Sequence, residues 1–253
     1  MSDIQVSCQH AVMRIKMNRP AKKNSLTRSM YEQMAVAIED AGISDNRVIV
    51  IEGEGECFTA GNNIADFASA DDAEHVNETA HFMEALMKCE LPVIAKVRGL
   101  AVGIGTTMLL HCDFVYCDES AKFIMPFIDL GLVPEYASSY ILPRLAGHRK
   151  ASEWLMLGKP FTGEEALQFG IATQVFPQKQ LDSMVDKVAT ALCSKPKSAL
   201  RHTKRLMKSD AHAVERHVSE ELDYFIQAMQ SEPAQEAFSA FLDKRPINPE
   251  KFK

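Results

Sequence analysis

The sequence predicts an α/β core of parallel strands followed by an all-helical C-terminal region. Three observations carry this. Short Val- and Ile-rich runs alternate with stretches of helical periodicity, glycines stand where a run gives way to a helix, and beyond "GKPFTGEEALQFGIATQVFP" the strand-like runs cease. The opening "AVMRIKMNRP" alternates apolar and polar residues as a half-buried strand does. It meets "PAKKNSLT", a turn leading into a helix with Asn24 or Ser25 as its cap. "RSMYEQMAVAIEDAGI" keeps apolar residues at helical spacing, and "NRVIVIEGEG" is a short apolar run bounded by turn residues, suited to a strand buried on both faces. The alternation repeats, with "LPVIAKVRG" a strand, "GTTMLLHC" helical, "DFVYCD" a strand and "YASSYILPRLAG" the start of another helix. Strands separated by helices pair in parallel, because the crossover needs that length of chain. "LDSMVDKVATALCS", "SALRHTKRLMKS" and "AVERHVSEELDYFIQAMQ" are then helical in succession, and "SKPKS" between two of them places a boundary near Ser194 to Ser198. The expected organisation is a core over 1–195 and a helical region over 196–253.

Composition narrows the function classes. A hydrophobic fraction of 46% and a charged fraction of 25% are those of an ordinary globular protein, and no apolar run approaches the roughly 18 residues that span a bilayer. A formal charge of −6 argues against a general nucleic-acid binder. Six scattered cysteines lack zinc-site spacing and disulfide-scaffold density and read as reduced thiols. His111, His148, His202, His212 and His217 fall in unrelated segments, so no metal is expected. Neither end carries a recognisable address, and the expected compartment is the cytoplasm.

Two glycine turns stand out, "CFTAGNNIADF" and "VRGLAVGIGTTMLL". Glycine at a strand-to-helix turn permits positive φ and leaves amide N–H groups facing outward at a positively polarised helix end. On the glycines alone, tight turning by Gly61, Gly103 and Gly105 is a better explanation than anion binding. The order of residues fits neither a dinucleotide fingerprint nor a Walker loop, and two separated donors suggest an oxyanion hole.

Taken together, "NRPAKKNSL", "FTAGNNIADF", "PVIAKVRGLAVGIGTTMLLHCDFVY" and "LGLVPEYASS" resemble the enoyl-CoA hydratase/isomerase, or crotonase, superfamily. "GKPFTGEEALQFGIATQVFP", "ALRHTKRLMK" and "AFSAFLDKRP" extend the resemblance over nearly the whole chain. It implies a spiral of ββα units with a C-terminal helical trimerisation region, assembling as a homotrimer or a dimer of trimers. It also implies an acyl-CoA thioester whose carbonyl is polarised by two backbone N–H groups, at Asn62 and Ile104 here. "GNN" and "AVGIGTTMLL" look closer to peroxisomal-type Δ3,Δ2-enoyl-CoA isomerases than to hydratases.

The two glutamates with which hydratases activate water match Thr107 and Phe127, neither of which is an acid. In the isomerase-like "LGLVPEYASS" the acid after Pro134, Glu135, matches the single catalytic base. A wall of Phe127, Leu132 and Val133 is expected to raise its pKa. A glutamate just after a proline at a helix start is also favoured by the helix dipole whatever the chemistry, and Asp129 is the reserve candidate. The resemblance places CoA along Lys22, Lys23 and Asn24, Ala60 of the A-G pair and Asn63, with Phe241 and Lys244 reaching the nucleotide end. Each lysine is also an ordinary surface lysine, and Asn63 also an ordinary helix cap; Asp66 and Phe67 belong to the same stretch. CoA enters as part of the substrate, and no prosthetic group is expected. The leading function is an enoyl-CoA isomerase of fatty-acid oxidation. The alternatives are another crotonase reaction, hydration included, and a non-catalytic acyl-CoA-binding protein.

Overall fold

The computed structural model describes residues 2–68 and 76–252, with the side chains of residues 67 and 68 outside the described set. Any role of the Phe67 side chain therefore lies outside the described residues. A six-stranded sheet in the order β1-β2-β3-β4-β6-β9 forms the larger layer, built from β1 (Ile4–Gln9), β2 (Val12–Met17), β3 (Val48–Gly53), β4 (Val93–Val97), β6 (Phe114–Asp118) and β9 (Gln174–Phe176). All its pairs are parallel except the β1–β2 hairpin. That hairpin turns on His10 and Ala11, both left-handed at φ 52° and 62°. Two-residue hairpins normally signal themselves with Asn-Gly or Asp-Gly. "QHAV" carries no such signal, so β1 does not stand out in the sequence.

A second sheet of three short strands, β5 (Leu100–Val102), β7 (Lys122–Ile124) and β8 (Phe161–Thr162), lies in the order β5-β7-β8. Runs this short have no usable period. Phe161 of β8 stacks on Phe123 of β7 and on Trp154 at ring distances of 5.3 and 4.5 Å.

The central strands separate two apolar layers because successive side chains point to opposite faces. Ile49, Ile51, Val93 and Ala95 face the main core, which includes Met30, Met34 and Ile38 of α1 (Arg28–Ile43) and Phe82 and Leu86 of α3 (Asn77–Lys88). Val48, Val50 and Ile94 face Leu181, Val185 and Ala189 of α8 (Leu181–Cys193). The α1 cap differs from the expected Asn24 or Ser25. Thr27 holds that position, its hydroxyl accepting from the Met30 amide at 3.4 Å, because the chain stays extended through Leu26 to bridge Asn62.

Beyond residue 195 come α9 (Lys197–Met207), α10 (Ala211–Met229) and α11 (Glu232–Leu242). The tail is helical as expected, yet it folds back onto its own core. Val218, Phe225, Met229, Ala234 and Phe238 join the same apolar cluster as the sheet, and Phe225 meets Phe127 edge-on at 6.4 Å. Among the described residues no helix is long and apolar enough to cross a membrane.

Candidate active site

Two glycine turns lie side by side. The segment at Thr59 is stitched to β5 by Thr59 N–H to the Leu100 carbonyl at 3.0 Å and Val102 N–H to the Thr59 carbonyl at 3.1 Å. Gly61 has φ 81°, and a Cβ there would sit 2.5 Å from the Val102 carbonyl oxygen, so only glycine lets the turns touch. Gly103, with φ 57°, takes the strain of the second turn and leaves Ile104 as the first residue of the short helix α4 (Ile104–Thr107). The bulky, β-branched Ile104 therefore sits in ordinary helical backbone, and its side chain is buried in the core. Neither the Asn62 nor the Ile104 amide donates to another group among the described residues. Two free N–H groups on adjoining turns are the geometry an oxyanion needs.

Glu135 is 3% exposed, next to these turns. The Thr107 hydroxyl, on the same helix as Ile104, donates to its Oε1, while Oε2 has no partner. Burial pushes the carboxyl up to about 8. The Thr107 hydrogen bond pulls the other way, and the negative charge of Glu221 adds to the rise. Of the residues expected to form the apolar wall of Glu135, Phe127 and Leu132 are buried and Val133 packs against the main core.

The backbone that presents Glu135 is unusual. Tyr136 and Ala137 are both left-handed, at φ 61° and 57°, just before α5 (Ser138–Ala146). Consecutive non-glycine residues in this region persist only where the surroundings fix them. Here His111 does so, its Nε2 lying 2.8 Å from the Tyr136 carbonyl and its ring stacked on Tyr136 at 3.8 Å. Burial lowers the His111 pKa to about 3, so the ring is neutral and Nε2–H is the donor. The Tyr136 hydroxyl donates to the Met83 carbonyl at 2.8 Å, and the Ser138 hydroxyl donates to the Glu135 carbonyl at 2.7 Å.

Thr107, one of the two positions where the sequence lacks an acid, is a hydrogen-bond donor to the very acid assigned as base. Two further groups give no local sequence signal. Tyr31, on α1, donates its hydroxyl to the Asn62 side chain. Its phenol is held well above the ordinary range by burial and then by the charges of Glu135 and Asp66. Glu221, on α10, is the other. Asp129 is exposed in a turn of 3-10 helix (Ile128–Leu130), where its carboxylate lies against Gly158.

Of the residues expected to hold CoA, Lys22 and Lys23 are exposed, in and just after a turn of 3-10 helix. Asn24, expected along CoA with them, turns its side chain into the protein. It is fully buried, its Nδ2 donates to the Glu54 and Cys57 carbonyls at 2.9 and 2.7 Å, and its Oδ1 accepts from the Arg19 amide at 2.9 Å. Every polar atom of that side chain is spent on shaping the loop. The Ala60 amide donates to the Lys23 carbonyl at 2.9 Å, which ties this loop to the first glycine turn. Asn63 leads into α2 (Ile64–Ala68), its side chain donating to Asp66 Oδ1 at 2.9 Å in a capping position. Phe241, near the end of α11, is 62% exposed, and Lys244 follows it with φ 52°.

A two-sheet α/β core, two adjoining amide-lined glycine turns and a buried carboxylate bonded to the helix that follows the second turn match the crotonase class of fold. The chain belongs to the enoyl-CoA hydratase/isomerase family, whose model matches residues 7–251. It is 32% identical over 250 residues to enoyl-CoA delta isomerase 2 of Rattus norvegicus, covering 96% of this chain but only 64% of that protein's length. It is also 32% identical to the 2,3-dehydroadipyl-CoA hydratase of Escherichia coli K12, over 97% of both chains. The solved structure of Pseudomonas aeruginosa OdaA superposes with a TM-score of 0.93 at 41% identity, covering 96% of this chain and 99% of that one.

Proposed function

We propose that this chain is a Δ3,Δ2-enoyl-CoA isomerase. The thioester oxygen of a 3-enoyl-CoA accepts from the Asn62 and Ile104 amides, each donor contributing roughly 3 to 4 kcal/mol toward the developing enolate. Glu135 Oε2 removes a proton from the α carbon to give a dienolate, and the same carboxyl returns it to the γ carbon. One acid serves both steps because the proton leaves and re-enters on one face of a planar dienolate. The observation that carries this reading is a buried carboxylate with one bare oxygen, tied through Thr107 to the helix that starts at Ile104, where the hydratase acids are replaced by Thr107 and Phe127. An acyl-CoA thioester is accordingly the substrate, with Lys22 and Lys23 the cations for its phosphates and Phe241 and Lys244 toward its nucleotide end. The likeness to a named isomerase supports the reading.

Hydration is the second reading, because the E. coli relative named a hydratase matches over nearly its whole length. Purified protein incubated separately with 3-enoyl-CoA and 2-enoyl-CoA separates the two. Isomerised product from the first, with no 3-hydroxyacyl-CoA from either, is expected. Hydrated product as the main outcome overturns the isomerase reading.

A further inference from the structure

The C-terminal helices carry a second buried acid beside Glu135. Glu221, on α10, is 7% exposed. Its Oε1 accepts from the Ser139 amide at 2.9 Å and from the Ser139 hydroxyl, and Oε2 has no partner. Among the described residues no cation pairs with it. Burial and the charge of Glu220 on its own helix raise its carboxyl, the Ser139 hydroxyl and the Ser139 and Ala137 amides pull it down, and its charge acts on Glu135 on the presenting turn. His217 stacks on Tyr140 at 4.3 Å, Arg144 lies over the Tyr140 ring at 3.4 Å, and Glu236 of α11 is engaged by Arg245.

The place where Glu221 bonds is informative. α5 starts immediately after the left-handed pair Tyr136 and Ala137, and Ala137, in the cap position, has no side chain that can accept a first-turn amide. A helix start needs such an acceptor, and the usual Ser, Thr, Asp or Asn supplies it locally. Here a glutamate 82 residues further along the chain supplies it. The same turn carries Glu135 three residues before Ser138. Each of the two acids thus rests one oxygen on a hydroxyl and leaves the other bare, and the charge of one is felt by the other.

We propose that Glu221 is a positioning residue for Glu135: its carboxylate ties the start of α5 to α10, so that the C-terminal helices fix the turn and the charge environment in which the base works. This rests on the reading of Glu135 as the base. Glu221→Gln keeps an oxygen for the Ser139 amide and removes only the charge, whereas Glu221→Ala removes both. With 3-enoyl-CoA, Glu221→Ala is expected to lower kcat about tenfold with KM changed less than about twofold. Glu221→Gln is expected to move the acidic limb of the kcat/KM profile down by about half a pH unit or more, because a negative neighbour that opposes ionisation of Glu135 is gone. A role in fold stability alone would lower Tm and leave that limb in place. Infrared titration of the Glu135 carboxyl, assigned by difference against Glu135→Gln, reads the same displacement in the full chain without turnover. It separates failure of this proposal from failure of the isomerase reading. Superimposable titrations of Glu221→Gln and the parent overturn the proposal, whether or not Glu221→Ala folds.

Discussion

Two regions of this molecule bury carboxylates, and they treat them oppositely. On the α8 side of the large sheet, Glu52 at 3% exposure contacts Lys96 and lies 3.5 Å from Arg14, and fully buried Asp118 lies 3.5 Å from Arg98. Asp182 of α8 closes this network with Lys96 at 2.8 Å and Arg98 at 2.7 Å. Glu135 is as deeply buried as Glu52 and has a hydroxyl for company, with no cation paired to it among the described residues. A buried acid that meets cations can stay ionised and be structural. One that meets a hydroxyl, apolar walls and the like charge of Glu221 resists ionisation and is able to exchange a proton near neutrality.

The comparison breaks most visibly at Glu135→Gln. Isomerisation of 3-enoyl-CoA is expected to fall by roughly a hundredfold or more, while Asp129→Asn, altering an exposed turn, retains most activity. The same variant should be more stable than its parent. The folded carboxyl, at about 8, lies above its ordinary value of 4.5, so the native state holds more protons than the unfolded one between those values. The parent therefore loses stability as pH rises across that window, by about 1.4 kcal/mol per unit of difference, and Glu135→Gln does not. Thermal unfolding should show the variant's advantage growing from pH 5 to pH 8 and flattening above, reaching a few kcal/mol. A constant Tm difference across that range contradicts the assignment.

Glu52→Gln should do the reverse. Removing the charge leaves Lys96 and Arg14 less compensated, and a loss of about 2 kcal/mol is expected, below the usual figure for breaking a buried pair because Asp182 and Asp186 remain. Turnover should stay within about twofold of the parent. Smaller again is Thr107→Val, which keeps the shape and removes the one donor to Glu135. Loss of a charged hydrogen bond worth roughly 1.5 kcal/mol should lower kcat/KM about tenfold near pH 7 and move its acidic limb upward. An unmoved limb would show that the hydroxyl does not serve the ionised acid.

Much of this was readable before the structure. The long apolar strands β3, β4 and β6 and the helical tail announce themselves by period and composition. The glycine turns and Glu135 did so by motif. What escaped was what depends on tertiary contact. β1 turns on His10 and Ala11 without a glycine, and β5, β7 and β8 are too short to show a period. That the Asn24 side chain builds the loop was hidden, because an exposed Lys-Lys-Asn turn and a loop-building asparagine have the same local sequence. Thr107, Tyr31 and Glu221 reach the site from three different helices, and nothing near any of them in sequence says which acid or amide it will meet.

The central claim is that Glu135 is a buried acid poised to hold and release a proton, and its carboxyl can be watched directly. Infrared difference spectra of the parent against Glu135→Gln, recorded without substrate from pH 5 to pH 9, should show a protonated carboxyl C=O band that persists through pH 7 and disappears around pH 8. A carboxylate already ionised at pH 6 would contradict the account.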